Sequence, residues 1–266
     1  MLCVFCGKGT VAETPKVTVT KITDQTGPWN GYKITTSVYE FWLKCTNYYG
    51  LSGYELTMEG EKVVENPGFG FSIYDDAKGK YFFNNYAFRP NGYTVTQEGN
   101  KVTWELVSNP VCEYSGTLEW TNNKITLTHH WLQHEEIPRG RVITAVLKQG
   151  IPLLTNCRFK AVLNDNSVVE GSIPADLPEA ETVYAGGKSG KAIKELTFFT
   201  KKGQVKISFL TDKQADLSKV FEPQLMTRLH KELNPPFRRY ELVSTLPAGP
   251  KDVPRSYTII FEFPEN

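Results

Sequence analysis

YTVTQEGNKVTWELVSNPVCEYSGTLEWTNNKITLTHHWLQHEE, residues Tyr93 to Glu136, decides the fold class. Val95, then Val102, Trp104 and Leu106, then Tyr114, Leu118 and Trp120, then Ile125, Leu127, His129 and Trp131 recur on a period of two. Thr103, Glu105, Thr117, Glu119, Lys124, Thr126 and Thr128 fill the alternate positions. Side chains alternate across a strand, so this pattern buries one face of a sheet and wets the other. Glu98-Gly99-Asn100 and Thr121-Asn122-Asn123 supply turns, because Gly and Asn tolerate positive φ. The last strand runs into the densest polar cluster of the chain: His129, His130, His134, Glu135 and Glu136.

The same alternation extends outward in both directions. Lys16 to Thr23 alternates Val and Thr, and Tyr32 to Thr46 reads as one long strand bulged near Val38, with Tyr39, Phe41, Leu43 and Cys45 on one face. Tyr54, Leu56 and Met58 lead through Gly60 into a hairpin, and Asp75 to Gly79 forms another turn. Cys157 to Leu163 and Ser167 to Ile173 pair across Asn164-Asp165-Asn166, while Leu196 and Phe198 pair with Val205, Ile207 and Phe209 across Lys201-Lys202-Gly203. Strands at this spacing predict an all-β protein, a large antiparallel sandwich. The period changes once. Leu225, Leu229 and Leu233 recur at i, i+4 and i+8 between Pro223 and Pro235-Pro236, which predicts a short helix over 223–233. Tyr257, Ile259, Phe261 and Phe263 close the chain as a strand. Residues 15–266 are read as one sandwich domain, with a subdivision near 174–190 where Pro and acidic residues gather.

Composition bounds the function. The chain has 266 residues, 40% of them apolar and 22% charged, and a net charge of +1. Such a balance gives no basic field for nucleic acid, and no apolar run is long enough to span a bilayer. Residues 1–14 read as a disordered segment. The apolar start Met1 to Cys6, with Thr10-Val11-Ala12 before Glu13, fits either the remnant of a signal peptide or a frayed cytoplasmic end. The expected location is therefore extracytoplasmic, with cytoplasmic as the alternative. Cys3 and Cys6 form a lone C-x-x-C without a second pair. Cys45, Cys112 and Cys157 read as core cysteines, with a Cys45–Cys112 disulfide open if the protein is exported.

Few motifs carry chemistry. His130 and His134 are spaced H-x-x-x-H, but the zinc-protease motif needs Glu where Trp131 stands. Gly186-Gly187-Lys188-Ser189 fails as a phosphate loop, because that spacing requires Gly where Thr182 stands. No metal or cofactor is expected. The candidate acid/base groups are His129, His130, His134 and Glu136. Trp29, Tyr48 and Tyr49 sit in loops beside Asn and Gly. With Trp131, they are the candidate ligand-binding residues, since an aromatic ring presents a flat face to the C–H face of a sugar.

Around Gln97-Glu98-Gly99-Asn100-Lys101-Val102-Thr103 and Gly116-Thr117-Leu118-Glu119-Trp120, the meander resembles the β-supersandwich domains of galactose-mutarotase-like proteins. N-terminal β-domains of glycoside hydrolases share this style. The resemblance spans about residues 16 to 210 and implies an architecture and a carbohydrate context. The mutarotase pattern of a catalytic His and a distant Glu does not map onto His129, His130 or Glu136. The first expectation is a non-catalytic module that binds a glycan or supports a catalytic partner. The second is a sugar-active enzyme of epimerase or glycosidase type, using a His/Glu pair from the 129–136 cluster. The third is an envelope structural or interaction protein with a protein partner.

Overall fold

The structure, a computed structural model, describes residues 17–23, 30–47, 50–66, 71–84, 91–107, 109–147, 156–176, 178–187, 191–211, 223–230 and 237–264. These residues form three antiparallel sheets. The first is a meander of β1 (Thr18–Ile22), β2 (Gly31–Thr35), β3 (Glu40–Thr46), β4 (Gly50–Met58) and β5 (Glu61–Asn66). The second collects β6 (Ser72–Asp75), β7 (Lys80–Asn84), β12 (Gly140–Leu147), β15 (Val183–Ala185), β18 (Gln224–His230) and β19 (Phe237–Pro247), in the order β15-β18-β19-β12-β6-β7.

The third sheet has nine strands and dominates the molecule. It contains β8 (Tyr93–Glu98), β9 (Lys101–Leu106), β10 (Cys112–Trp120), β11 (Lys124–Gln133), β13 (Arg158–Leu163), β14 (Val168–Ser172), β16 (Ile193–Thr200), β17 (Gly203–Thr211) and β20 (Arg255–Glu262). Their order is β14-β13-β16-β17-β20-β11-β10-β9-β8. The C-terminal β20 lies between β17 and β11 and joins two hairpin systems into one surface.

Alternation fixes which face is dry. Leu118, Trp120, Ile125, Leu127, Ile259 and Phe261 are buried, whereas their strand neighbours Thr117, Glu119, Thr126 and Ile260 are not. The dry face packs on both smaller sheets. Tyr54 of β4 meets Phe261 edge-on at 6.1 Å, and Tyr39 stacks on Phe263 at 4.5 Å. At the other end, Phe71 stacks on Tyr114 at 4.6 Å, and Ser244 of β19 hydrogen-bonds the hydroxyl of Tyr257. Among the described residues one face of the large sheet is thus covered and the other is open, a supersandwich-like arrangement.

Two expectations change. The segment predicted as a helix over 223–233 is strand β18 across 224–230, paired with β19 and β15; residues 231–233 lie outside the described residues. A spacing of four is even, so Leu225 and Leu229 share a face in a strand as well as in a helix. The positions that distinguish the two, Arg228 and Glu232 at i+3 and i+7 from Leu225, are charged, and a helix would have no complete apolar stripe. The long strand expected over 32–46 is a hairpin. Thr36 turns the chain, donating its N–H to the Tyr39 carbonyl at 2.9 Å while its hydroxyl oxygen accepts the N–H groups of Val38 and Tyr39. Such a hydroxyl-anchored turn competes with strand continuation.

Cys45, Cys112 and Cys157 are buried and free, and burial raises the Cys112 thiol to about 12. Cys3 and Cys6, like the whole segment 1–14, lie outside the described residues. Among the described residues no helix is long and apolar enough to cross a membrane.

Candidate functional site

The open face of the nine-stranded sheet is polar because its partners point inward. Trp104 and Leu106 turn into the core and put Glu105 outside; Tyr114 and Gly116 do the same for Ser115, and His129 and Trp131 for His130. Strand register then aligns these outward residues. Glu105 lies opposite Ser115, Ser115 opposite His130, and His130 opposite Ser256. Neighbouring strands are about 4.8 Å apart, so the Glu105 and His130 backbones are roughly 10 Å apart, with Ser115 between them.

A cleft of about 600 Å³ opens over this row. Glu105, Asn109, Glu113, Ser115, His130 and Arg255 are its polar lining, and Pro110, Leu132 and Pro254 are among its apolar walls. The His130 imidazole is held below its ordinary value, first by burial and then by the Lys101 ammonium, which keeps it neutral and able to accept or donate at neutral pH.

The histidine cluster divides three ways. His129 is 1% exposed and belongs to the core. The Trp104 indole N–H donates to the Tyr114 hydroxyl (3.2 Å), and that hydroxyl shares a hydrogen bond with His129 Nδ1 (3.0 Å). Burial drives the His129 pKa down to about 3, so the ring stays neutral. His130 faces the cleft. His134 sits at the sheet edge between two carboxylates, its Nδ1 3.0 Å from Asp252 and its Nε2 3.1 Å from Glu113. The hydrogen bond to Asp252 leads the effects that raise its pKa, so the cation is favoured.

His134 and Glu136 fasten a wall of the cleft. The β19–β20 loop, which ends in the lining residues Pro254 and Arg255, is held to the end of β11 at several points. Lys251 N–H donates to Glu136 (3.2 Å), Asp252 N–H to the Gln133 carbonyl (2.9 Å), and the Gln133 amide to the Gly249 carbonyl (2.7 Å). Trp131 is 3% exposed; its indole N–H donates to the Ala248 carbonyl at 2.9 Å and its ring lies 6.0 Å from the Arg255 guanidinium. Trp29, Tyr48 and Tyr49 lie outside the described residues.

Of the residues named from sequence, the cleft lining brings together His130 and Trp131, and does not include His129, His134 or Glu136. Glu105, Glu113 and Ser115 are additions. Their signal was available, since Glu105 and Thr117 already stood on the wet face by alternation, but the row exists only through cross-strand register. Among the described residues no group of three or more His, Cys, Asp or Glu is placed to hold a metal ion.

No protein-family model matches the chain, and no curated protein matches it in sequence. Similarity appears in three dimensions. A candidate aldose 1-epimerase from Escherichia coli K12 superposes with a TM-score of 0.50 at 10% identity, covering 94% of this chain and 100% of the other. The Slr1438 protein from Synechocystis sp. PCC 6803 superposes with a TM-score of 0.50 at 10% identity, covering 96% and 99%. A galactose mutarotase-like protein from Clostridium acetobutylicum gives 0.47 at 12% identity, covering 94% and 99%. Identities this low speak for fold alone, and the fold shared with the first two of these structures is the all-β, supersandwich-like one described above.

Proposed function

We propose that the protein is a carbohydrate-associated module that binds a sugar in the cleft over Glu105, Ser115 and His130. The observation that carries this reading is the polar row itself. Three strands set a carboxylate, a hydroxyl and a neutral imidazole side by side beneath a cleft whose volume suits a small ligand. A sugar ring needs several donors and acceptors at fixed spacing together with some apolar wall, and a rigid sheet supplies both. The structural likeness to a candidate aldose 1-epimerase supports the carbohydrate context.

A second reading, a sugar-active enzyme, is favoured by one further observation. The neutral His130 shares its cleft with the Glu105 and Glu113 carboxylates, the groups that acid/base exchange at an anomeric centre requires. One set of measurements separates the two. A glycan array with wild type and His130→Ala identifies the sugar, and NMR exchange spectroscopy on that sugar with catalytic protein measures anomer interconversion. Binding without acceleration establishes the module. Acceleration lost in Glu105→Gln, with binding retained, establishes the enzyme. Absence of sugar binding in wild type would overturn both readings.

A further inference from the structure

The open face carries more than one depression. One rung beyond Glu105, Ser115 and His130, the register places Thr96, Thr103, Thr117, Thr128 and Thr258 in a single line across β8, β9, β10, β11 and β20. The hydroxyls of Thr128 and Thr258 are 3.0 Å apart. One rung further, Lys101, Glu119 and Thr126 border a second depression of about 420 Å³. Trp120, which also borders it, is 3% exposed, and its indole N–H has no hydrogen-bond partner among the described residues.

All three rungs point the same way, because residues two apart on a strand share a face. From Ser115 to Glu119 is four residues of strand, roughly 14 Å, more than one sugar ring covers. We infer that the ligand is a neutral oligosaccharide lying along β9, β10 and β11, reaching from the first depression over the threonine line into the second. This rests on the sugar reading of the first cleft. Threonine suits the middle of such a path: its hydroxyl bonds sugar hydroxyls, its methyl meets sugar C–H groups, and its β-branch keeps it rigid on the strand.

Charge decides against a polyanionic glycan. Lys101 is paired with Glu119 at 3.0 Å and Lys206 with Glu262 at 3.1 Å, while Arg255 at the first cleft and Lys124 at the second depression are matched in number by the Glu105 and Glu113 carboxylates. No surplus of positive charge remains on this path to attract sulfates or uronates. A protein occupant is disfavoured as well, since the cores of protein interfaces are apolar and aromatic, and this path is lined mainly by Thr, Ser and charged side chains, with Pro110, Leu132 and Pro254 as apolar walls of the first cleft.

The test is calorimetric titration with malto- and cello-oligosaccharides of one to six units, alongside a sulfated heparin hexasaccharide. The expected result is an affinity at least tenfold higher for a tetrasaccharide than for the monosaccharide of the same series. The double variant Thr117→Val, Thr128→Val is expected to weaken tetrasaccharide binding about fivefold or more. Equal affinity along a series that does bind would overturn the oligosaccharide path and leave the sugar reading standing. Tighter binding of the heparin probe would overturn the neutral ligand. No binding of either series, where the glycan array does capture a monosaccharide, would overturn the oligosaccharide path alone; no sugar captured in either experiment would overturn both inferences. Thermal melting checks that the double variant folds; should it not, the wild-type length series decides alone.

Discussion

Gly116 lies opposite Trp104 in the register, and a Cβ there would come within 2.2 Å of the indole ring. Trp104 is fully buried and its N–H is bonded to Tyr114, so the ring cannot retreat without losing a hydrogen bond. Gly116→Ala is therefore expected to cost about 1–3 kcal/mol, as overpacking of a filled core does; a urea midpoint unchanged at constant slope would contradict it. Two histidines a few residues apart should respond to pH in opposite senses. His129 has a depressed pKa, near 3, so the unfolded chain takes a proton below about 6.5 that the folded protein refuses. Stability should fall as pH drops from 6.5 towards 3, and melting temperatures of His129→Asn against wild type should show that slope reduced. His134 has a raised pKa. Its contribution is whole just below 6.5, while Glu113 and Asp252 stay ionised, and fades as pH climbs through the higher folded value. His134→Gln should flatten the melting-temperature profile on that alkaline side, and an unchanged profile would remove the pair from the account.

At the scale of elements, some of the structure was legible in sequence and some was degenerate. The strands from Tyr93 to Gln133 were readable because their alternation runs unbroken between Gly/Asn turns. The turn after β2 left a mark that alternation also shows: buried Tyr32 and Ile34 are even-numbered, while buried Tyr39, Phe41, Leu43 and Cys45 are odd, and the change of parity is the turn. For β18 the mark is weaker, because a leucine spacing of four serves helix and strand alike and only the charged Arg228 and Glu232 speak against a helix. Here Thr227 settles the matter through pairing. Its N–H donates to the Thr182 carbonyl at 2.8 Å and its hydroxyl accepts the Thr182 N–H at 3.0 Å. Thr227→Ala is expected to lose about 1 kcal/mol through the second bond, read from denaturant unfolding.

For the whole molecule, the open face of the nine-stranded sheet is a product of topology. Alternation told which residues are wet, but only the insertion of β20 between β17 and β11 makes one continuous surface of them. It also brings the loop before β20 against His134 and Glu136, more than a hundred residues earlier in the chain. Contacts of that range leave no local pattern, and so the histidine cluster read as one site when it serves three: core, cleft and wall. Buried on one face and paired on both edges, β20 and β11 should hold the slowest-exchanging amides, as hydrogen exchange would show; faster exchange there than in β1 or β14 would contradict the architecture.

The central claim is that ligand is met on the open face of the large sheet, at strand positions rather than in the two smaller sheets. Amide chemical-shift mapping with a neutral tetrasaccharide tests it most directly. The largest changes are predicted at Ser115, Thr117, Thr128 and His130. Changes confined to the strands of the other two sheets, or none at saturating sugar, would contradict it.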